Sequence, residues 1–219
     1  AAVLAPVPAF VMYELVARTL GLRFVGVPLA PGFALDLPAV LAALRREEPR
    51  LVFLAWPNNP TGNLFAEQAV AAVLRACLGE ACQALVAVDE AYFHYAGRTF
   101  LPRLAEFPNL VVLRTLSKIG LAGIRLGILA ANPAVVHEVN KVRLPYNVNA
   151  LSQAAARVVL AHGDLVRKNA AAILEERERM LAALRRLPGL EAYPSDANFF
   201  LLRTARPAGG KLCAVEPVS

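Results

Sequence analysis

Short apolar runs, each closed by a polar turn, recur along this chain. Residues 24–28, 51–56, 84–88, 110–113 and 126–130 read as strands, and 198–202 as a last one. Runs of four to six apolar residues without polar alternation are the signature of a sheet covered by helices on both faces. Between them lie stretches of helical period: 36–46, opened by Asp36, then 66–78, 133–144 and 149–161. A long helix is expected over 164–187, with Asp164 as its N-cap and Pro188-Gly189 as its stop. Alternating strands and helices predict an α/β domain built on a mostly parallel sheet. Ligands of such sheets sit beyond the carboxyl ends of the strands, which directs attention to the residues just after each apolar run.

Three of these ends carry unusual residues. The run 51–56 is followed by Pro57-Asn58-Asn59-Pro60-Thr61-Gly62, the run 84–88 by Asp89-Glu90-Ala91-Tyr92, and the run 110–113 by Arg114-Thr115-Leu116-Ser117-Lys118, with Gly120, Gly123 and Arg125 beyond. Each alone has a plain explanation: a turn, a helix cap, a solvated lysine.

Composition narrows the classes. Hydrophobic residues make up 57% of the 219 and charged residues 18%, which fits a buried sheet and not a disordered chain. No apolar run approaches the roughly 20 residues that span a bilayer, and residues 1–10 lack the basic start of a signal peptide. The formal charge of +6 could suit nucleic acid, but the densest basic group, Arg177 and Arg179, alternates with Glu175, Glu176 and Glu178 and reads as a solvated helix face. Neither a membrane nor a nucleic acid is expected as partner. Cys77, Cys82 and Cys213 form no framework, which argues for a reducing compartment such as the cytoplasm. Cys77 and Cys82, five apart on one expected helix, are read as small packed side chains. His94, His137 and His162 have no metal-ligand spacing. A nicotinamide-binding Rossmann domain is set aside for want of Gly-x-Gly-x-x-Gly.

Taken together, the three strand ends resemble the fold-type I pyridoxal-phosphate enzymes, the aspartate-aminotransferase-like family, over nearly all of residues 1–203. That family shows Asn-Pro-Thr-Gly, Asp-x-x-Tyr and Thr-x-Ser-Lys in this order and at this spacing; here Asn59, Asp89 and Lys118 fall 30 and 29 residues apart. The resemblance implies pyridoxal 5'-phosphate as cofactor, bonded through Lys118, whose freed amine then moves the proton at the substrate α-carbon. It implies Asp89 as the carboxylate beside the ring nitrogen, and Asn59 and Tyr92 as donors to the phenolic oxygen. Thr115, Ser117 and Arg125 would hold the phosphate, and Phe10 would stack on the ring, unless it is a core residue. Catalytic roles fall to Lys118, Asp89 and Tyr92.

Within that family the motifs FVMY at 10–13, YFHY at 92–95, TLSKIGLAGIRLG at 115–127, PYNVN at 145–149 and SDANF at 195–199 resemble the histidinol-phosphate aminotransferase branch. This implies amino transfer from histidinol phosphate to 2-oxoglutarate in histidine biosynthesis, in a homodimer taking small amino and 2-oxo acid substrates. Threonine-phosphate decarboxylase and other class I/II aminotransferases are the alternatives, as is a non-catalytic remnant. Tyr146 and Asn147 either line the substrate pocket or form a turn. Residues 1–163 are expected to form the large cofactor domain and 164–219 a connecting helix with part of a small α+β domain. Lys118 and Arg125 stand seven positions apart, one fewer than in many members, and Trp56 replaces a common tyrosine. Relative to the family pattern, a leading glycine-containing phosphate loop and a partner-reaching tyrosine are not found before residue 1, and the substrate-binding arginine is not found after Arg203; Arg206 is no convincing replacement. The chain is therefore expected to be incomplete at both ends and a poor catalyst as it stands, with Leu174, Leu181 and Leu184 exposed on the long helix.

Overall fold

The structure, a computed structural model, describes residues 1–205. Arg206, the Pro-Gly stretch read as a loop or frayed end, and Cys213 lie outside the described residues. Six strands form the main sheet: β1 (Ala2–Val7), β2 (Arg23–Pro28), β3 (Leu51–Ala55), β4 (Leu85–Asp89), β5 (Leu110–Thr115) and β6 (Gly127–Ala131), in the spatial order β2-β1-β3-β4-β5-β6. The first five are parallel, and β6 runs antiparallel to β5. Helices cover both faces, as expected. Helix α1 (Met12–Thr19) follows β1, and its Tyr13 packs with Ala5, Phe53 and Ala55. Helices α2 (Leu37–Glu47) and α3 (Glu67–Ala76) bury Val40, Leu44, Val70 and Leu74 against Leu4, Val52, Leu54, Val86 and Val88 on the other face. The period of two along each strand thus feeds two separate layers.

From β1 the chain first moves outward to β2 and then returns past β1 to β3. The order of travel reverses between β1 and β3, the switch point at which doubly wound sheets form a crevice. The two strands pair only at Val3↔Leu51 and Leu4↔Val52, while β1 stays paired with β2 to Val7↔Pro28. Pro6, which has no amide to donate, lies past the point where β1 leaves β3. Pro6 and the Ala-rich run also explain why β1 is not legible as a strand: a proline argues against a central position.

Several expectations need correction. Cys82 is not on a helix; α3 ends at Ala76, Cys77 caps it, and Cys82 sits in the loop before β4. Both cysteines are buried and free, their sulfurs 4.0 Å apart. Burial pushes the Cys77 thiol far above its usual range, so it stays a packed thiol. Asp164 does not cap the long helix. After α4 (Phe93–Ala96), α5 (Pro133–Val142) and α6 (Ala150–Ala161), helix α7 starts one residue earlier, at Gly163–Leu184, with His162 at its N-cap and Asp164 inside its first turn. Leu181 is fully buried, and Leu174 packs on the cluster of Tyr92, Tyr95, Ala170, Ala197 and Phe199. The apolar stripe of α7 is covered there by the Tyr92 turn, so its expected exposure is not found.

The last predicted strand is displaced: pairing occurs between β7 (Leu190–Ala192) and β8 (Leu202–Thr204), and residues 198–201 form no ladder. Phe199, Phe200 and Leu201 are buried, Phe199 among Tyr92, Tyr95 and Ala170, and the loop before them docks on the turn after β3. There Asp196 N donates to Gly62 O at 2.7 Å, and its carboxylate accepts from Leu64 N at 2.9 Å. Gly62 has φ +80°, and a Cβ there would lie 2.5 Å from Ser195 Oγ. Gly62→Ala should therefore lower the unfolding free energy by roughly 1–3 kcal/mol, from left-handed strain and the clash together. Urea unfolding reads this directly, and an unchanged midpoint would mean that the two segments part without loss.

Candidate active site

The ends of β1, β3, β4 and β5 converge on one cleft of about 340 Å³, partly open to solvent, lined by Phe10, Tyr13, Ala55, Pro57, Asn59, Asp89, Ala91, Tyr92 and Lys118. Five of the expected residues meet here: Phe10, Asn59, Asp89, Tyr92 and Lys118. Asp89 is the last residue of β4. Its Oδ2 accepts from Tyr13 Oη at 2.7 Å and its Oδ1 from Ala91 N at 3.0 Å. Burial pushes its carboxyl above the usual range, against the Tyr13 and Ala91 hydrogen bonds and the charge of Lys118, which pull it down. Burial, then the nearby Asp89 charge, raise Tyr13 well above an ordinary phenol, so Tyr13 keeps its proton and donates it.

The turn after β3 is held from three sides. Asn58 Nδ2 donates to Pro8 O at 3.1 Å and to Thr61 Oγ1 at 2.7 Å, and Trp56 N donates to Asp89 O at 2.8 Å. This fixes Asn59, whose Nδ2 reaches Tyr92 Oη at 3.0 Å. Tyr92 is buried at the start of α4, edge-on to Phe199 with ring centroids 4.9 Å apart. Phe10 is 41% exposed and edge-on to Tyr13, so it is a wall of the cleft and not a core residue.

Lys118 follows β5 in a tight turn made by Ser117–Ile119. Thr115 Oγ1 bonds Ser117 Oγ at 2.9 Å and accepts from Ser117 N at 3.0 Å, which closes the turn. Gly120, at φ +90°, takes the chain out of it. The Lys118 carbonyl accepts from Tyr95 Oη at 2.5 Å, and Nζ lies 5.3 Å from the Tyr92 ring centroid. Thr115, Ser117 and Arg125 are not among the lining residues. Pairing of β5 with β6 brings Arg125 near Thr115, with Leu116 N on Leu126 O at 3.2 Å. The Arg125 side chain is exposed, and its Nη1 donates to Ala122 O at 3.2 Å.

Tyr13 and Tyr95 stand in the motifs FVMY and YFHY but receive no role from the sequence. Tyr13 stands just after Phe10 in the same motif, at the start of α1, and the two rings meet edge-on. Tyr146 and Asn147 lie elsewhere, in a recess with Leu126, Arg143, Val148 and Gln153, and Tyr146 is 97% exposed. Among the described residues no cluster of three His, Cys, Asp or Glu could hold a metal, and no helix is long and apolar enough to cross a membrane. Burial and the Arg114 charge lower the pKa of His94, which is therefore neutral near pH 7.

The model of the family "Aminotransferase class I and II" matches residues 1–215. Histidinol-phosphate aminotransferase 1 of Ralstonia nicotianae is 52% identical over 209 residues, covering 95% of this chain and 56% of its own. Histidinol-phosphate aminotransferase of Chromobacterium violaceum is 52% identical over 203 residues, 93% of this chain and 56% of its own. The chain thus spans a little over half the length of the relatives it matches. Among solved structures, histidinol-phosphate aminotransferase from Sinorhizobium meliloti in complex with pyridoxal-5'-phosphate superposes with a TM-score of 0.85 at 32% identity, over 95% of this chain and 57% of that one. The enzyme of the same name from Clostridium acetobutylicum shares the fold, with a TM-score of 0.88 at 23% identity, over 96% and 64%.

Proposed function

We propose, from the premise that this chain belongs to the class I and II aminotransferases, that it forms the cofactor-binding part of a pyridoxal-phosphate-dependent enzyme transferring an amino group between histidinol phosphate and 2-oxoglutarate. The products would be imidazole-acetol phosphate and glutamate. The observation that carries the reading is the convergence of Asp89, Asn59, Tyr92 and Lys118 on one cleft at the switch point of the sheet. The donor set fits the cofactor: a carboxylate fixed by two donors, an amide and a phenol edge to edge, a primary amine, and apolar walls of Phe10, Ala55, Pro57 and Ala91 for a flat ring.

Pyridoxal phosphate supplies an aldehyde for covalent attachment and a ring that accepts electrons from the bond being broken. The chain supplies the rest. Lys118 Nζ would hold the cofactor's aldehyde, and its amine is the group placed to move a proton at the substrate α-carbon. Asp89 provides the counter-charge that keeps a pyridine nitrogen protonated, oriented by Tyr13. Asn59 and Tyr92 would offer donors to an oxyanion on the ring. Thr115, Ser117 and Arg125, at the ends of β5 and β6, offer hydroxyl and guanidinium donors for a phosphate. In this reading residues 1–163 form the cofactor domain, and 164–219 lead into a small domain that begins with α7 and the β7-β8 pair. The whole protein is read as a homodimer, in keeping with the apolar residues exposed on α1: Met12, Leu15 and Val16.

The test is an assay of protein containing this chain, loaded with pyridoxal phosphate, on histidinol phosphate and 2-oxoglutarate. Glutamate should appear in step with imidazole-acetol phosphate. Release of carbon dioxide from threonine phosphate, with no amino transfer from histidinol phosphate, would replace this function with a decarboxylase.

A further inference from the structure

Glu90 follows Asp89 directly but serves the opposite face of the sheet. Side chains alternate along a strand, and the ladder pairs Asp89 with Leu113, so Glu90 and Arg114 meet on the face away from the cleft. The Glu90 side chain is 0% exposed. It accepts from Arg114 Nε at 3.0 Å, Thr99 Oγ1 at 2.8 Å and Phe100 N at 2.6 Å, with Arg114 Nη2 at an ion-pair distance of 2.9 Å. Arg114 also donates to Thr99 Oγ1 at 2.7 Å and lies over the Phe93 ring, 3.7 Å from its centroid. This is an ion pair with a fully buried carboxylate and a partly exposed guanidinium, and nothing in the proposed chemistry uses it.

Its place in the sheet gives it a use. The β4–β5 ladder stops at Asp89↔Leu113, with Glu90 N on Leu113 O at 2.8 Å as its last rung. Beyond that rung one strand turns into the segment that carries Tyr92 and the other into the turn that carries Lys118. A slip of one residue would exchange the two faces, turning Asp89 out of the cleft and separating Glu90 from Arg114. We propose that Glu90 and Arg114 are positioning residues: their pair pins the register where β4 and β5 part from each other, β5 staying paired with β6 to Thr115, and so sets the separation of Asp89 and Lys118 across the cleft. This rests on the reading that Asp89 and Lys118 act on bound pyridoxal phosphate.

The test uses protein containing this chain, with Glu90→Gln and the double variant Glu90→Gln/Arg114→Met. The double variant leaves no unpaired buried charge and is read where the single variant fails to fold. Wild type must first show visible absorbance with pyridoxal phosphate that Lys118→Ala loses; without it the underlying cofactor reading fails, whatever the variants do. Given that absorbance, a variant should show faster amide exchange at residues 114–118 in cofactor-free protein. The pH midpoint of the visible band should shift. Turnover should fall by about ten- to a hundredfold with KM little changed, the scale of a misplacement of about 1 Å. A merely structural pair would lower only the unfolding midpoint. Folded variants with wild-type exchange at 114–118, an unmoved pH midpoint and undiminished kcat would overturn the proposal.

Discussion

Replacing Lys118 with alanine should leave a folded protein that no longer retains pyridoxal phosphate through dialysis and no longer yields a borohydride-stable adduct. Turnover should fall by at least about 10²–10⁴-fold, the range for loss of a positioned acid-base group, before the lost attachment is counted. The expectation rests on geometry. Lys118 Nζ lies in the cleft beside the Tyr92 ring, and its backbone is held by Tyr95 Oη at 2.5 Å. Because that bond involves the carbonyl and not the amine, truncating the side chain leaves the turn intact. Turnover within tenfold of wild type, or borohydride labelling of another lysine in the wild-type protein, would remove Lys118 from its assigned role.

The second large effect is expected for Asp89→Asn. The amide keeps the shape and can still accept from Tyr13, but it cannot stabilise a positive ring nitrogen. A loss of about 10²–10³ in kcat with little change in KM is expected, comparable to removing one preorganised electrostatic group and confined to the chemical step. Tyr13→Phe, which removes only the hydrogen bond at 2.7 Å, should give a smaller loss. Stability without cofactor should move the other way. Burial raises the folded-state pKa of Asp89, so ionising it works against folding. That penalty is absent at acid pH and accrues as pH rises from the ordinary carboxylate range through the raised value. The asparagine variant should therefore be at least as stable as wild type at neutral pH, with the difference vanishing in acid. An asparagine variant that turns over normally would show that Asp89 does not face the reacting ring.

How far the sequence discloses this molecule follows from which interactions are local. The places of Asn59, Asp89 and Lys118 are legible because the residues after an apolar run sit at the carboxyl edge of a parallel sheet, where ligands bind, while their roles follow from the family resemblance of the three motifs together. Asp36 is legible as a helix cap because its partner is local: its side chain accepts from Ala39 N, three residues on, at 3.0 Å. Tyr13 and Tyr95 are not, since their partners Asp89 and Lys118 are distant in sequence and only the closed sheet brings them together. The Glu90–Arg114 pair depends on a register that no single strand specifies. Residues 198–202 misled for a different reason. Their burial is real, but apolarity records that a segment is covered and not by what, and here Phe199 packs on Tyr92, Tyr95 and Ala170 and not in a strand ladder. Strand β1 was lost to Pro6, which is tolerated because β1 has already parted from β3.

That parting has a thermodynamic side. The two strands share only two paired positions, and beyond them the cleft walls are joined by side-chain bonds such as Asn58 to Pro8 O. A molecule seated between Phe10, Asn59 and Asp89 would touch both walls. Binding only to the closed sheet, it would oppose every opening of this seam by RT ln(1 + [L]/Kd), about 2.7 kcal/mol at a hundredfold excess over Kd. Occupancy of the site and integrity of this seam would then become one equilibrium.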